Sequence, residues 1–171
     1  AIRPMRRPLV IMSPKWILRH KLATSSLEDL AGGEFENVIA DSIDPDAIER
    51  VILCSGKVYY HLLEERISRE LDNIALVRIE QLYPFPDTEL TEILSVYKNM
   101  KSIVWCQEEP INQGAWYSSQ HNMKRVIKDI NSDLQLTYVG RESSAAPASG
   151  YMSVHLEEQA KFIDEALSFD N

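Results

Sequence analysis

Val51-Ile52-Leu53-Cys54, followed at once by Ser55-Gly56-Lys57, is the stretch on which the fold turns. Four consecutive apolar residues offer no polar face, so a strand made of them must be covered on both sides, as strands of parallel sheets are. The glycine-bearing tripeptide then supplies a turn. Beyond it Tyr59, Leu62, Leu63, Ile67 and Leu71 recur at helical spacing. The same alternation continues. A second strand is expected at 74–79. Pro84 and Pro86 then break the chain, and Asp87 caps a helix carrying Leu90, Ile93, Leu94 and Tyr97. A third strand falls at 102–106, and a helix from about Ala115 carries Met123, Val126, Ile127 and Ile130. A fourth strand at 134–139 alternates more and so lies nearer an edge. A loop of small residues at 143–150 leads to a last helix, capped by Ser153, with Leu156, Ala160, Ile163 and Leu167 on one side. Strands alternating with helices of this length imply right-handed crossovers and a mainly parallel sheet of four or more strands. The fold class is therefore α/β, a three-layer α/β/α sandwich.

Toward the N-terminus the pattern is less regular. Residues 9–12 read as a short buried strand, and Ser13-Pro14 as the N-cap and first position of a short helix containing Trp16 to Arg19. Ser25-x-x-Glu28 has the form of a capping box, opening a helix that Gly32-Gly33 ends. Residues 35–39 suit a strand. The turn-rich stretch 41–46 divides a lead-in segment, 1–46, from an α/β core, 47–171, within a single domain of 1–171. The opening residues, Ala1-Ile2-Arg3-Pro4-Met5-Arg6-Arg7-Pro8, lack both a starting Met and the apolar core of a secretion signal, which leads one to expect a piece of a longer, cytoplasmic protein.

The 171 residues carry a formal charge of −8, which argues against general binding of nucleic acid, and 44% hydrophobic residues, ordinary for a soluble domain. The apolar runs are too short to span a bilayer. Two cysteines, Cys54 and Cys106, each inside an apolar run, read as buried reduced thiols. His20, His61, His121 and His155 have no metal-ligand spacing, so no metal site is expected. No nucleophile elbow, dinucleotide fingerprint or complete phosphate loop is present.

In a parallel sheet, ligands bind beyond the carboxyl ends of the strands. That rule names Ser55-Gly56-Lys57, Glu80-Gln81, Gln107-Glu108-Glu109 and Gly140-Arg141. A helix N-terminus beside Lys57 favours an anion, although a tight turn with a solvated lysine fits equally. Glu108 and Glu109 are neighbours on an extended chain and point to opposite faces, so they suit a structural role better than paired acid–base work. Lys15 and Arg19, four apart, would share a helix face and with Arg7 could form a basic pocket; the plainer alternative is pairing with the chain's many acids. The residues alone therefore give an α/β domain with an anion-friendly edge and no catalytic constellation.

Longer strings say more. Arg7-Pro8-Leu9-Val10-Ile11-Met12-Ser13-Pro14-Lys15 with Leu18-Arg19-His20, Cys54-Ser55-Gly56-Lys57-Val58-Tyr59-Tyr60, and Arg78-Ile79-Glu80-Gln81-Leu82-Tyr83-Pro84-Phe85-Pro86 come first. Trp105-Cys106-Gln107-Glu108-Glu109-Pro110, Asn112-Gln113-Gly114-Ala115-Trp116-Tyr117, Tyr138-Val139-Gly140-Arg141, Ala146-Pro147-Ala148 and Gly150-Tyr151-Met152-Ser153-Val154-His155 follow. Together these resemble, in order and over nearly the whole chain, the C-terminal domain of the first component of bacterial 2-oxoglutarate dehydrogenase complexes.

The resemblance implies a fold like the C-terminal domain of transketolase. It also implies a cytoplasmic homodimeric oxidoreductase of the tricarboxylic acid cycle, which decarboxylates 2-oxoglutarate on thiamine diphosphate and Mg²⁺. That enzyme passes the succinyl group to lipoyl arms of the dihydrolipoyl succinyltransferase component. The cofactor and the catalytic histidines belong to preceding domains in that family, so no cofactor and no catalytic residue are expected in this chain, and its role would be structural or regulatory. An acetyl-CoA or nucleotide effector is a further expectation, with Arg7, Lys15, Arg19, Arg50, Lys57 and Gln107 as candidate contacts. The alternatives from other classes are a free-standing acyl-CoA or nucleotide binding module and a domain that only docks partner proteins.

Overall fold

The structure, a computed structural model, describes residue 8 and residues 10–169. The chain divides after Glu36 into two compact units, 1–36 and 37–171. In the first, Lys15–Arg19 forms a single 3₁₀ turn and Leu27–Gly32 forms α1. The capping box of α1 is present one residue later than expected. Ser26 Oγ accepts from the Asp29 N–H and the Asp29 carboxylate accepts from the Ser26 N–H, each at 3.0 Å. The run Ser25-Ser26-Leu27-Glu28-Asp29 holds the motif in two registers, and the second is the one used. Gly33 closes the helix, as expected.

Two other expectations fail in this unit. Residues 10–12 form no strand and their side chains are exposed, because among the described residues of this unit there is no sheet for them to join. The turn beginning at Lys15 has Pro14, not Ser13, as its N-cap and no side-chain cap.

The second unit is the α/β sandwich. Its elements are β1 (Val38–Ile39), β2 (Arg50–Cys54), α2 (Val58–Ser68), β3 (Ile74–Ile79), α3 (Asp87–Leu94), β4 (Ser102–Pro110), α4 (Trp116–Ile130), β5 (Leu136–Arg141) and α5 (Met152–Leu167). The strand order is β1-β3-β2-β4-β5. Strands β2 to β5 run parallel, and only β1 is antiparallel, pairing Val38 with Ile79 at one margin. The period-two alternation of strand side chains splits the core in two. Val51, Leu53, Ala75, Val77, Ile79, Ile103 and Trp105 pack with Leu90 and Leu94 of α3 and Met123, Val126 and Ile127 of α4. Ile52, Cys54, Ile74, Leu76, Val104, Cys106 and Val139 pack with Val58 and Leu62 of α2 and Phe162, Ile163, Ala166 and Leu167 of α5. Three layers result. Cys54 and Cys106 are in register on β2 and β4 and both fully buried.

The segment 37–46 belongs with the second unit, ahead of the turn-rich boundary read from its composition. A buried ion pair holds it there. The Asp41 carboxylate accepts from the N–H of Leu76 on β3 at 2.7 Å and pairs with Arg66 of α2, both side chains under one-tenth exposed. Arg66 also donates to the Ile74 carbonyl at 3.0 Å. Removing one member of such a pair strands the other without water or counter-charge. Asp41→Ala should therefore lower the unfolding free energy by about 3–5 kcal/mol, read as a shift in the urea midpoint.

Candidate functional site

The carboxyl ends of β2 and β4 lie side by side, yet their helices leave on opposite faces, α2 on one and α4 on the other. This is the switch point at which doubly wound sheets open a crevice. Here the crevice is bridged. Lys57, after β2, is ion-paired with Glu108 of β4, and the two side chains are about one-fifth exposed. Gly56 provides the positive φ of 75° that the turn before α2 needs. The lysine is thus neither solvated nor free for an anion without giving up its carboxylate.

Next to the bridge stands Gln107, only 2% exposed. Its carbonyl oxygen accepts from Trp105 Nε1 at 2.9 Å and from the Trp116 N–H at 3.0 Å. Its amide nitrogen donates to the carbonyls of Glu109, Pro110 and Gln113 at 3.2, 3.1 and 2.8 Å. Trp105 and Gln107 meet because residues two apart on a strand share a face. Gly114, at a φ of 63°, closes the turn, and a Cβ there would lie 2.9–3.1 Å from the Gln107 amide. Every bond that Gln107 can make is spent on its own chain, leaving none for an adenine or amide.

The network also explains why β4 runs to Pro110 and not only to Cys106. Its register against β5 shifts between those residues, and Gln107 satisfies the carbonyls that the irregularity frees.

At the end of β5, Arg141 forms a second hub. It donates to the Glu108 carbonyl at 2.7 Å and lies 3.0 Å from His155 Nδ1, so that nitrogen acts as the acceptor. Its Nε lies 2.9 Å from the Glu158 carboxylate, an ion pair without an aligned hydrogen bond. Ser149 Oγ holds the same carboxylate at 2.8 Å. The loop after β5 is stapled to the loop after β4: Ser144 exchanges hydrogen bonds with Asn112 at 2.9 and 3.0 Å and accepts from Gln113 at 3.1 Å.

The other candidate residues are dispersed. Arg50 begins β2, at the opposite end of the strand from Lys57. It is 2% exposed, sits 5.8 Å from the Phe169 ring and donates to the Glu165 carbonyl at 3.4 Å. Burial depresses its pKa, partly offset by Glu165. Lys15 and Arg19 are both exposed in the first unit. With three residues per turn, positions four apart in a 3₁₀ turn diverge by about a third of a turn, so they do not share a face as in an α-helix. Arg7 lies outside the described residues.

Sequence reasoning missed what the edge displays. Tyr83 after β3, Tyr117 at the start of α4, and Tyr151 and Met152 at the start of α5 are 92%, 61%, 77% and 71% exposed. Parallel topology brings all three loops to the carboxyl edge of the sheet. Tyr117 had been singled out by the string around it; Tyr83 and Tyr151, each beside a Pro or Gly in a turn, offered only that position as a signal.

The model of the family described as 2-oxoglutarate dehydrogenase C-terminal matches residues 24–167, most of the chain. The chain belongs to this family. Relatives bearing the name 2-oxoglutarate dehydrogenase E1 component include those of Azotobacter vinelandii, 57% identical over 98% of the chain, and Haemophilus influenzae, 50% identical over 99%. That of Coxiella burnetii is 51% identical over 97%. In each case the chain spans 18% of the relative's length. Seen as a 2-oxoglutarate dehydrogenase C-terminal domain, the molecule has its polar hubs at the sheet's carboxyl edge.

Two outcomes check this geometry. Gln107→Leu should cost about 2–4 kcal/mol in thermal unfolding, since it leaves the Trp105 and Trp116 donors and three carbonyls without partners. The second concerns pH. Burial pushes the Cys54 thiol up to about 12 and raises Cys106 too, so both ionise more readily once unfolded. Their contribution is whole below about pH 9 and fades as pH rises toward the folded value. Between those limits the stability of Cys54→Ala, Cys106→Ala should fall less steeply with pH than that of the unchanged chain, followed by urea denaturation.

Proposed function

We propose that this chain is the C-terminal domain of a bacterial, cytoplasmic 2-oxoglutarate dehydrogenase first component, that it works within the full-length homodimer, and that its own part is structural. The observation that carries this reading is the row of exposed aromatic and thioether side chains at the carboxyl edge, Tyr83, Tyr117, Tyr151 and Met152. Clustered exposed apolar side chains of this size mark surfaces that other parts of a protein cover. The named relatives are more than five times as long as this chain and supply ample further protein to do so.

On this proposal the full-length enzyme decarboxylates 2-oxoglutarate with thiamine diphosphate and Mg²⁺, serves the tricarboxylic acid cycle, and transfers succinyl to the lipoyl arms of dihydrolipoyl succinyltransferase. The residues present do not fit a metal–diphosphate site by themselves: among those described, no group of three or more His, Cys, Asp or Glu side chains is placed to hold a metal ion. No step is therefore routed through this chain. Its edge carboxylates serve as counter-charges, Glu108 to Lys57 and Glu158 to Arg141. An acyl-CoA or nucleotide effector would have to engage Lys57 by displacing Glu108, and it would reach Arg50 and Lys57 only at opposite ends of β2.

The test uses the full-length protein. Tyr83→Ala, Tyr117→Ala should weaken its subunit or domain association by about tenfold or more, as truncation of buried aromatic anchors does, read by sedimentation. Activity per folded dimer should persist, because neither tyrosine touches a reacting atom on this reading. Unchanged association with lost activity would overturn the structural role. Decarboxylation by the isolated chain, abolished by substituting one of its residues, would do so as well.

A further inference from the structure

The sheet has two margins, and they are treated differently. The outer edge of β3 is covered by β1. The outer edge of β5 has no strand beside it among the described residues. The Arg141 carbonyl accepts from Ile111 N–H, on the β4 side, at 3.0 Å. Backbone groups alternate along a strand, so those of Tyr138 and Gly140 turn outward, away from β4. An unpaired strand edge is a template for another chain.

A cleft of about 560 Å³ lies along this edge, between β5 and α5. Tyr138 and Gly140 line it and Thr137 and Val139 do not, which matches the direction of the backbone groups. Glu158, Lys161 and Glu165 of α5 form the opposite wall, and Glu142 stands at its mouth. Arg141, the other lining cation, is already engaged by the Glu108 carbonyl, His155 and Glu158. Three carboxylates therefore face Lys161 and a committed arginine.

We infer that the β5 edge is a strand-addition site for an extended segment of another polypeptide bearing lysine or arginine at alternate positions. Main-chain hydrogen bonds to Tyr138 and Gly140 would supply affinity, and the carboxylates would select basic side chains. Charge argues against a second copy of this chain as the occupant. Two β5 edges paired about a two-fold axis would bring Glu142 and its neighbours against the same residues, within a chain of net charge −8.

The experiment is a titration of the 171-residue chain with acetyl-Lys-Val-Lys-Val-Lys-amide, followed by backbone amide NMR. Shifts should concentrate at 136–143 and 158–165. Affinity should fall as salt rises from about 50 to about 300 mM, because the Debye length shortens several-fold on the scale of these contacts. A peptide N-methylated along one edge should lose binding, and the Glu-Val-Glu-Val-Glu counterpart should not bind. Glu142→Gln should weaken the lysine peptide by about two- to fivefold and Lys161→Gln should strengthen it by a similar factor, as expected for single exposed charges. Both residues are exposed, so neither change threatens the fold. Absence of binding at millimolar peptide, equal binding of the N-methylated form, shifts centred elsewhere, or both variants moving affinity the same way would each overturn the inference.

Discussion

Much of this domain hangs on one primary amide. Gln107 joins the end of β4, the indole of Trp105, the first N–H of α4 and the carbonyls of the turn between them. Without it, β4 would have no means of continuing past its register shift to Pro110, and Glu108 would not be placed to receive both Lys57 on its side chain and Arg141 on its carbonyl. The loop after β5 is fastened to residues of the same turn, through Asn112 and Gln113. A buried amide with all its bonds made is a rigid joint, and one with any bond lost is a liability, because low dielectric surroundings magnify both. The carboxyl edge of the sheet is built around that joint.

The sandwich was legible because its signals are redundant. The run from Val51 to Cys54 demands cover on both faces, and residues 74–79 form β3 with the ends expected of them. The boundaries that moved did so for local reasons. Glu108-Glu109-Pro110 looks like a strand breaker until Gln107 and Arg141 take up its carbonyls. The strand read at 35–39 shrinks to Val38–Ile39, pairing only where it meets Ile79 and Arg78. Residues 10–12 carry strand-forming side chains, but a strand exists only where another offers it hydrogen bonds, and no local pattern reports on that. The fourth strand lies at Leu136–Arg141, two residues beyond the range read from its apolar side chains.

The candidate site was legible as a place and not as a set of residues. Strand ends pointed to Lys57, Gln107 and Gly140-Arg141, and the structure concentrates its polar contacts there. Cationic residues gathered from sequence alone fared differently. Arg50 reads as one more surface charge, yet it is buried at the far end of β2 against Phe169. Lys15 and Arg19 depend on a helix type that four-residue spacing cannot distinguish. Arg141 gave little warning of its importance, since a single arginine after a strand says nothing about the Glu158 and His155 that reach it from a helix far along the chain.

The strand order carries a consequence for how the chain assembles. β1 is made first but can attach only to the outer side of β3, some forty residues later, so it must wait unpaired while β2, α2 and β3 form between. Those three elements are a compact crossover whose closure spans a short loop, and short closures carry the smaller entropy penalty. β4 then adds to the remaining side of β2, and β5 adds to β4. The sheet therefore grows outward from its centre, and Asp41, reaching both α2 and β3, can bind only after those two have met. Its carboxylate serves as a latch on a nucleus already formed, so its loss should speed opening far more than it slows the first collapse.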